Sequence, residues 1–449
     1  MREQFKIEIV NWLAGYGSAA EARATFAEIS IYVNSLCVTD VEDRFARTTR
    51  KSVRVSAYPL ACWIAANWWR LLCEPARRGD GGTAQHDWDM SHRLPASGGG
   101  YVWPNLLLWS DGVEITARCT PQWMPDDLSP VRYLNFFEVP LPARAVEEGF
   151  ATFIEAVVRR LHESGLRDTN LHALWKDLTM ERAHGSLTET RKLEALLGVD
   201  PEEGNELLRE APKWQRQVGK HAVEEIAAGS SAKNFIDTFV RCKQAAQTVK
   251  AQSRVEKFDS LRAEIIEHSS PEIPPASAGR SAAHVVRQVW ELGDQVVTNR
   301  VLAERLNLRV QVFDSSTPNT PLTFGVKGHS EDQIKVVLRD AHPLGKRFDV
   351  ARLIGDHLTF NYGEAWKPAT ASFTARQKFQ RAFASELLCP SEVVRSRYRA
   401  TAHSLEGSDD FVEMIADEYQ VSQFVVQNYL FPEEPGFETR MGRAYAVTS

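Results

Sequence analysis

The rhythm of apolar and polar positions changes several times along the chain. Tyr58 to Leu72, YPLACWIAANWWRLL, is almost continuously apolar and reads as one buried helix or two short ones, with Trp63, Trp68 and Trp69 supplying large apolar area. A loop rich in Pro, Arg and Gly follows from Glu74 to Gly82, and Gly98 to Gly100 mark a turn. The runs Asn105 to Trp109 and Val113 to Arg118 flank Ser110-Asp111-Gly112 and predict a β-hairpin. Arg132 to Val139 reads as a further strand leading into a helix from Ala145 to His162. Residues 1–164 therefore read as an aromatic-rich α+β domain.

Residues 165–268 place apolar side chains at helical spacing. Leu193, Leu196 and Leu197 precede the stop signal Gly198 and Asp200-Pro201, so this stretch reads as a helical connector. Ser269 to Gly279, SSPEIPPASAG, has the composition of a linker, placed at 269–280. Within 281–449, His284 to Gly293 and Asn299 to Leu306 predict helices, and Leu308 to Phe313 and Gln333 to Leu338 predict strands. Helices follow at Lys346 to Leu358 and Thr374 to Leu388, the latter stopped by Pro390, and the region ends in helical Asp410 to Leu430. The class is α+β and multidomain, with no repeat of fixed period.

Length and composition narrow this picture. A chain of 449 residues suggests roughly two or three domains, and 43% hydrophobic with 25% charged residues is ordinary for a soluble globular protein. The net charge of -6 argues against a large nonspecific nucleic-acid surface, which would need Lys and Arg to neutralise phosphates, but leaves room for a local basic patch. No apolar run approaches the ~20 residues that span a bilayer, and the opening MREQFKIEIVNWL is unlike a signal peptide. The expected location is the cytoplasm, with no membrane partner. The six cysteines, at 37, 62, 73, 119, 242 and 389, form no C-x-x-C pair and are expected to be mostly reduced and buried.

Candidate chemistry concentrates in KRFDVARLIGDHL, Lys346 to Leu358, and ARQKFQRAFASELLCP, Ala375 to Pro390. In outline, order and spacing these resemble the ImmA/IrrE-like metallopeptidases, whose active-site helix reads approximately RF-x-x-A-H-E-x-G-H and whose second helix ends FA-x-E-L-L-x-P. The resemblance covers about 281–431, and it implies a zincin-like domain. In such a helix two imidazoles one turn apart chelate zinc, and the intervening Glu takes a proton from the metal-bound water. Here those positions hold Arg352, Leu353 and Asp356, and the position of the third ligand, counted back from Phe383-Ala384, holds Gln377 between Arg376 and Lys378. A fixed cation, an alkyl chain and a primary amide cannot do that chemistry, and the flanking cations repel an ion. The resemblance thus implies a peptidase fold without peptidase activity and no cofactor.

Other readings of the same residues stay open. A rearranged zinc site could draw on Asp356, His357, His342 or Glu386, although adjacent helical residues point about 100° apart and Glu386 reads as structural. Arg352, with Lys346, Arg347 and Arg376, could make a cationic cleft for an acidic peptide or phosphate. The favoured alternative is an i,i+4 bridge from Arg352 to Asp356.

Outside this region, Val301 to Val310 and Ile415 to Leu430 resemble parts of a helix-turn-helix. Gln423, Gln427 and Asn428 could read adenine edges, but the latter helix lacks Lys and Arg, so a capping helical hairpin is favoured over DNA binding. His86, Asp87, Asp89 and His92, in HDWDMSH, are candidate ligands for a divalent metal, weighed against an ordinary polar segment. Trp88, Trp103, Trp109 and Trp123 read as core in preference to a base-stacking platform. No G-x-S-x-G, P-loop or Rossmann fingerprint occurs.

The expectation is a cytoplasmic regulatory or interaction protein whose degenerate peptidase domain binds a peptide or protein partner, by strand addition at a sheet edge, without cutting it. Active relatives of the fold are associated with cleaving transcriptional repressors in stress responses, mobile elements and phage defence. A zinc metallopeptidase with displaced ligands and a DNA-binding regulator are the alternatives.

Overall fold

Strand alternation builds the first sheet. In Phe26–Val33 the side chains of Ala27, Ile29, Ile31 and Val33 are fully buried, so one face of the strand is committed to a core. Phe5–Trp12 pairs antiparallel along one edge of this strand, and Leu36–Cys37 and Val53–Ser56 pair along the other. The computed structural model describes residues 4–77, 83–120, 130–249, 252–270, 272–314, 319–360, 363–401 and 408–431. It divides into two compact units, Met1–Glu206 and Leu207–Ser449. The architecture is mixed α+β with several small antiparallel sheets.

In the first unit the expected hairpin forms between Asn105–Ser110 and Glu114–Thr120. Asp111 Oδ1 accepts from the amides of Val113 at 2.9 Å and Glu114 at 2.8 Å, and Gly112 takes φ +94°, which closes the turn without steric cost. The stretch expected as one strand at 132–139 is two, belonging to different sheets. Val131–Tyr133 pairs with Val41–Asp43, whereas Phe137–Pro142 pairs with Glu114–Thr120. Ala57–Ala66 and Trp68–Cys73 are separate helices broken at Asn67. Ala143–Glu163 buries Val146, Phe150, Phe153, Ile154, Val157 and Leu161 along one stripe. Trp88, Trp103 and Trp109 are buried, in keeping with the core reading, and Trp123 lies outside the described residues.

The second unit carries a sheet ordered Gln252–Arg254, Gln333–Val337, Thr323–Lys327, Trp366–Ala369, antiparallel throughout. The helices Pro343–Thr359 and Ala375–Leu388 pack against each other, and Pro275–Val289 packs on the latter. The division differs from the expected connector and linker. Asn170–Ala183 and Gly185–Leu197 belong to the first unit, and the helices from Ala211 onward to the second. The span 269–280 is no free linker: a helix starts at Pro275, whose fixed φ suits a first helical turn, and Phe258, Leu261 and Ile265 share one core with Ala282 and Val286.

The strand expected at 308–313 is a short 3₁₀ turn, Val310–Phe313, where apolar alternation met no pairing partner. Ser408–Tyr419 and Gln423–Leu430 form a helical hairpin that buries Ile415, Tyr419, Phe424, Val425, Val426 and Tyr429. No helix among the described residues is long and apolar enough to cross a membrane.

Candidate functional site

The helices Pro343–Thr359 and Ala375–Leu388 position the residues singled out in the sequence. His342 caps the first, its side chain accepting from Leu344 N at 3.3 Å, and Thr374 caps the second, accepting from Gln377 N at 3.3 Å. Gly355 permits their close approach, because a Cβ there would lie 2.6 Å from the Phe383 ring. Gly355→Ala is therefore expected to cost about 1–3 kcal/mol through overpacking. Urea unfolding checks this, and a loss within error would mean that Phe383 moves aside freely.

Every residue from Lys346 to Leu358 is buried, so each polar side chain on this helix needs an internal partner. Arg352 donates to Asp349 Oδ1 at 3.3 Å, to the Thr370 carbonyl at 2.7 Å and to Gln377 Oε1. Gln377 Oε1 also accepts from Thr370 N at 2.9 Å, and its Nε2 donates to Glu225 Oε2 at 2.9 Å and to the Pro368 carbonyl at 3.1 Å. Glu225, from the helix Lys220–Gly229, further accepts from Thr374 Oγ1 at 2.8 Å.

Asp356 is fully buried and accepts from Arg376 Nε at 2.6 Å and Nη2 at 2.8 Å and from Gln380 Nε2 at 2.7 Å. Arg376 Nη1 reaches Glu364 Oε2 at 3.2 Å, and Glu364 Oε1 accepts from Ala222 N at 3.0 Å. The positions that the family resemblance assigns to metal ligands, 352, 356 and 377, thus enter one buried network. It is closed by ion pairs and amides.

Electrostatics follow from burial and pairing. Burial disfavours the Asp356 carboxylate, but the adjacent Arg376 guanidinium outweighs it and the pKa is lowered; burial likewise opposes the Arg376 charge, which Asp356 raises. Burial pushes the Glu225 carboxyl up, and burial pulls Lys367 down. Burial, then Lys367, brings the His357 imidazole down to about 4, so its ring is neutral at pH 7.

Several expectations are corrected by this geometry. The Arg352 to Asp356 bridge does not form: helical side chains lean toward the N-terminus, which carries Arg352 to Asp349, and Asp356 is taken by Arg376. The cationic cleft does not form either. Arg347 is buried and donates to the carbonyls of Tyr419, at 2.9 Å, Gln420 and Val297, while Lys346 is buried 3.9 Å from Asp340.

His357 lies against Phe258, ring centroids 5.2 Å apart, beside the Glu331 backbone. Glu386 caps the next helix, accepting from Ser391 N at 3.0 Å and Oγ at 3.2 Å, which agrees with a structural role.

In the first unit the His/Asp segment does not converge. His92 is buried, stacked on Trp88, with Nδ1 2.7 Å from the Leu108 carbonyl and Nε2 3.1 Å from Glu74; His86 and Asp87 are exposed, and Asp89 accepts from Gln85 at 3.2 Å. Among the described residues no group of three or more His, Cys, Asp or Glu is placed to hold a metal ion.

A zinc ion does not fit the residues at the helix pair. Both Asp356 oxygens are engaged by a cation that already supplies the positive charge a metal would bring, and Leu353 cannot exchange a proton. Glu225, Glu364 and Gln380 were not anticipated. Glu225 left only a weak signal, being one of two adjacent glutamates, with Glu224, among the apolar residues of Ala222 to Ala228, and Glu364 left none. No protein-family model, curated protein or solved structure matches the chain.

Proposed function

We propose that the protein is a cytoplasmic regulatory or interaction protein whose second unit is a degenerate, zincin-like ImmA/IrrE domain that engages a protein or peptide partner without hydrolysing it. The observation that supports this reading most is the Asp356–Arg376–Glu364 ion-pair chain, where a guanidinium occupies the place between the helices that hydrolysis would require for a metal and its water. The helix Lys220–Gly229 packs against Trp366–Ala369 and sends Glu225 into the same centre, closing it from the side of that strand. Recognition therefore belongs to surfaces other than the centre itself. Through the resemblance, the circuit served is a stress-response, mobile-element or phage-defence one.

The deciding experiment is zinc content by inductively coupled plasma mass spectrometry, on protein purified without chelator or metal-binding tag. The expected result is far below one zinc per chain. About one tightly held zinc per chain, lost on Asp356→Ala, would overturn the reading and restore a metallopeptidase with displaced ligands.

A further inference from the structure

We propose that a cavity of the second unit, between the helices Pro275–Val289 and Ser391–Thr401, binds a small phosphate ester through Arg287, Arg397 and His284. This is independent of the reading of the buried polar centre. The cavity measures about 380 Å³, a size suited to a small metabolite.

Its lining includes a buried cation whose direct partners are backbone carbonyls. Arg287 is 4% exposed, and its guanidinium donates to the carbonyls of Gly293, at 3.0 and 2.7 Å, of Gln295, at 2.7 Å, and of Leu387. Carbonyl dipoles satisfy N–H groups but leave the net charge in place. Among the described residues no carboxylate pairs with it, and Glu386 and Asp294 act only at longer range. Burial lowers the pKa of Arg287, the direction expected of a cation lacking a direct counter-ion. An anion entering the cavity supplies one.

The neighbouring groups suit an oxyanion. His284 is half exposed, and its Nε2 lies 3.3 Å from the buried Glu386 Oε1. The half-exposed imidazole offers a ring N–H that can donate to a phosphate oxygen. Arg397 lines the same cavity and is also held by Glu418 at 2.6 Å, which sets the direction of its guanidinium.

Two carboxylates, Asp294 and Glu392, line the cavity as well. They would repel a bare anion but accept hydrogen bonds from hydroxyls, which favours a phosphorylated polyol over inorganic phosphate.

Isothermal titration of the full chain tests this with ribose 5-phosphate, inorganic phosphate and ribose as separate probes. The expected result is saturable binding of ribose 5-phosphate, weaker binding of inorganic phosphate, and none of ribose. His284→Gln and Arg397→Gln, both at partly exposed positions and checked for an unchanged unfolding midpoint, should each weaken binding by about tenfold or more. Should one variant fold poorly, the other decides. Absence of binding by both phosphate compounds, binding of ribose equal to that of its phosphate, or binding untouched in the folded variants would overturn the proposal.

Discussion

Arg376→Met is expected to destabilise the second unit by about 3–5 kcal/mol, read as a lower urea midpoint with unchanged cooperativity. Methionine keeps the unbranched stem as far as the position of Nε but removes the guanidinium, leaving fully buried Asp356 with Gln380 as its hydrogen-bond donor and Lys367 as a more distant cation, and Glu364 with a backbone amide. Glu225 also loses a nearby cation that favours its ionised form. Asp356→Asn should cost less, because Arg376 keeps Glu364 at 3.2 Å as a partner and the amide can still accept from Gln380. Combining Asp356→Leu with Arg376→Met removes both charges, so its cost should fall well below the sum of the two single changes. A loss under about 1 kcal/mol for Arg376→Met would show that water reaches the centre, contrary to a closed network.

That network also shows where sequence reasoning reached its limit. The helices bearing it were legible: Pro343–Thr359 and Ala375–Leu388 match the expected spans to within a few residues, because Pro343, the Thr374 cap and Pro390 mark their ends. The hairpin at 105–120 was legible for a similar reason, since Asp111-Gly112 specifies its turn.

Partner choice was not legible. Arg376 reads in sequence as a cation hostile to a metal at Gln377, yet in space it is the counter-ion of Asp356, because residues one position apart on a helix face different neighbours. Glu225 reaches Gln377 across more than half of the second unit's sequence, and no local pattern encodes such a contact. The span 269–280 misled for a different reason: Pro, Ser and Ala read as a linker by composition, but Pro275 followed by small residues is equally a helix start when a core is available to cover it.

Acid should destabilise the two units in separate pH windows, which hydrogen exchange read by mass spectrometry at pH 7, 5.5, 4.5 and 3 would resolve once intrinsic exchange rates are corrected for pH. In the second unit His357 titrates at about 4 against 6.5 for a free imidazole. The unfolded chain takes up a proton that the folded one refuses, so this contribution is full above pH 6.5 and is lost as pH falls toward 4, ~3 kcal/mol in all. His357→Phe should flatten that window.

In the first unit burial works against the Glu74 carboxylate, but His92, Arg70 and Arg77 together hold its pKa down to about 2, against 4.5. Glu74 Oε2 accepts from Arg70 Nε at 2.7 Å and Oε1 from Arg77 Nε at 2.8 Å. Its stabilisation, again ~3 kcal/mol, is present above pH 4.5 and disappears only as pH falls toward 2. At pH 5 the first unit should therefore still be protected while exchange in the second has begun to rise. Glu74→Gln should reverse that order, because it strands Arg70, which is buried and whose other carboxylate partner, Asp200, is largely exposed. Loss of protection in both units at one common pH, with neither substitution shifting it, would show that neither group governs acid stability.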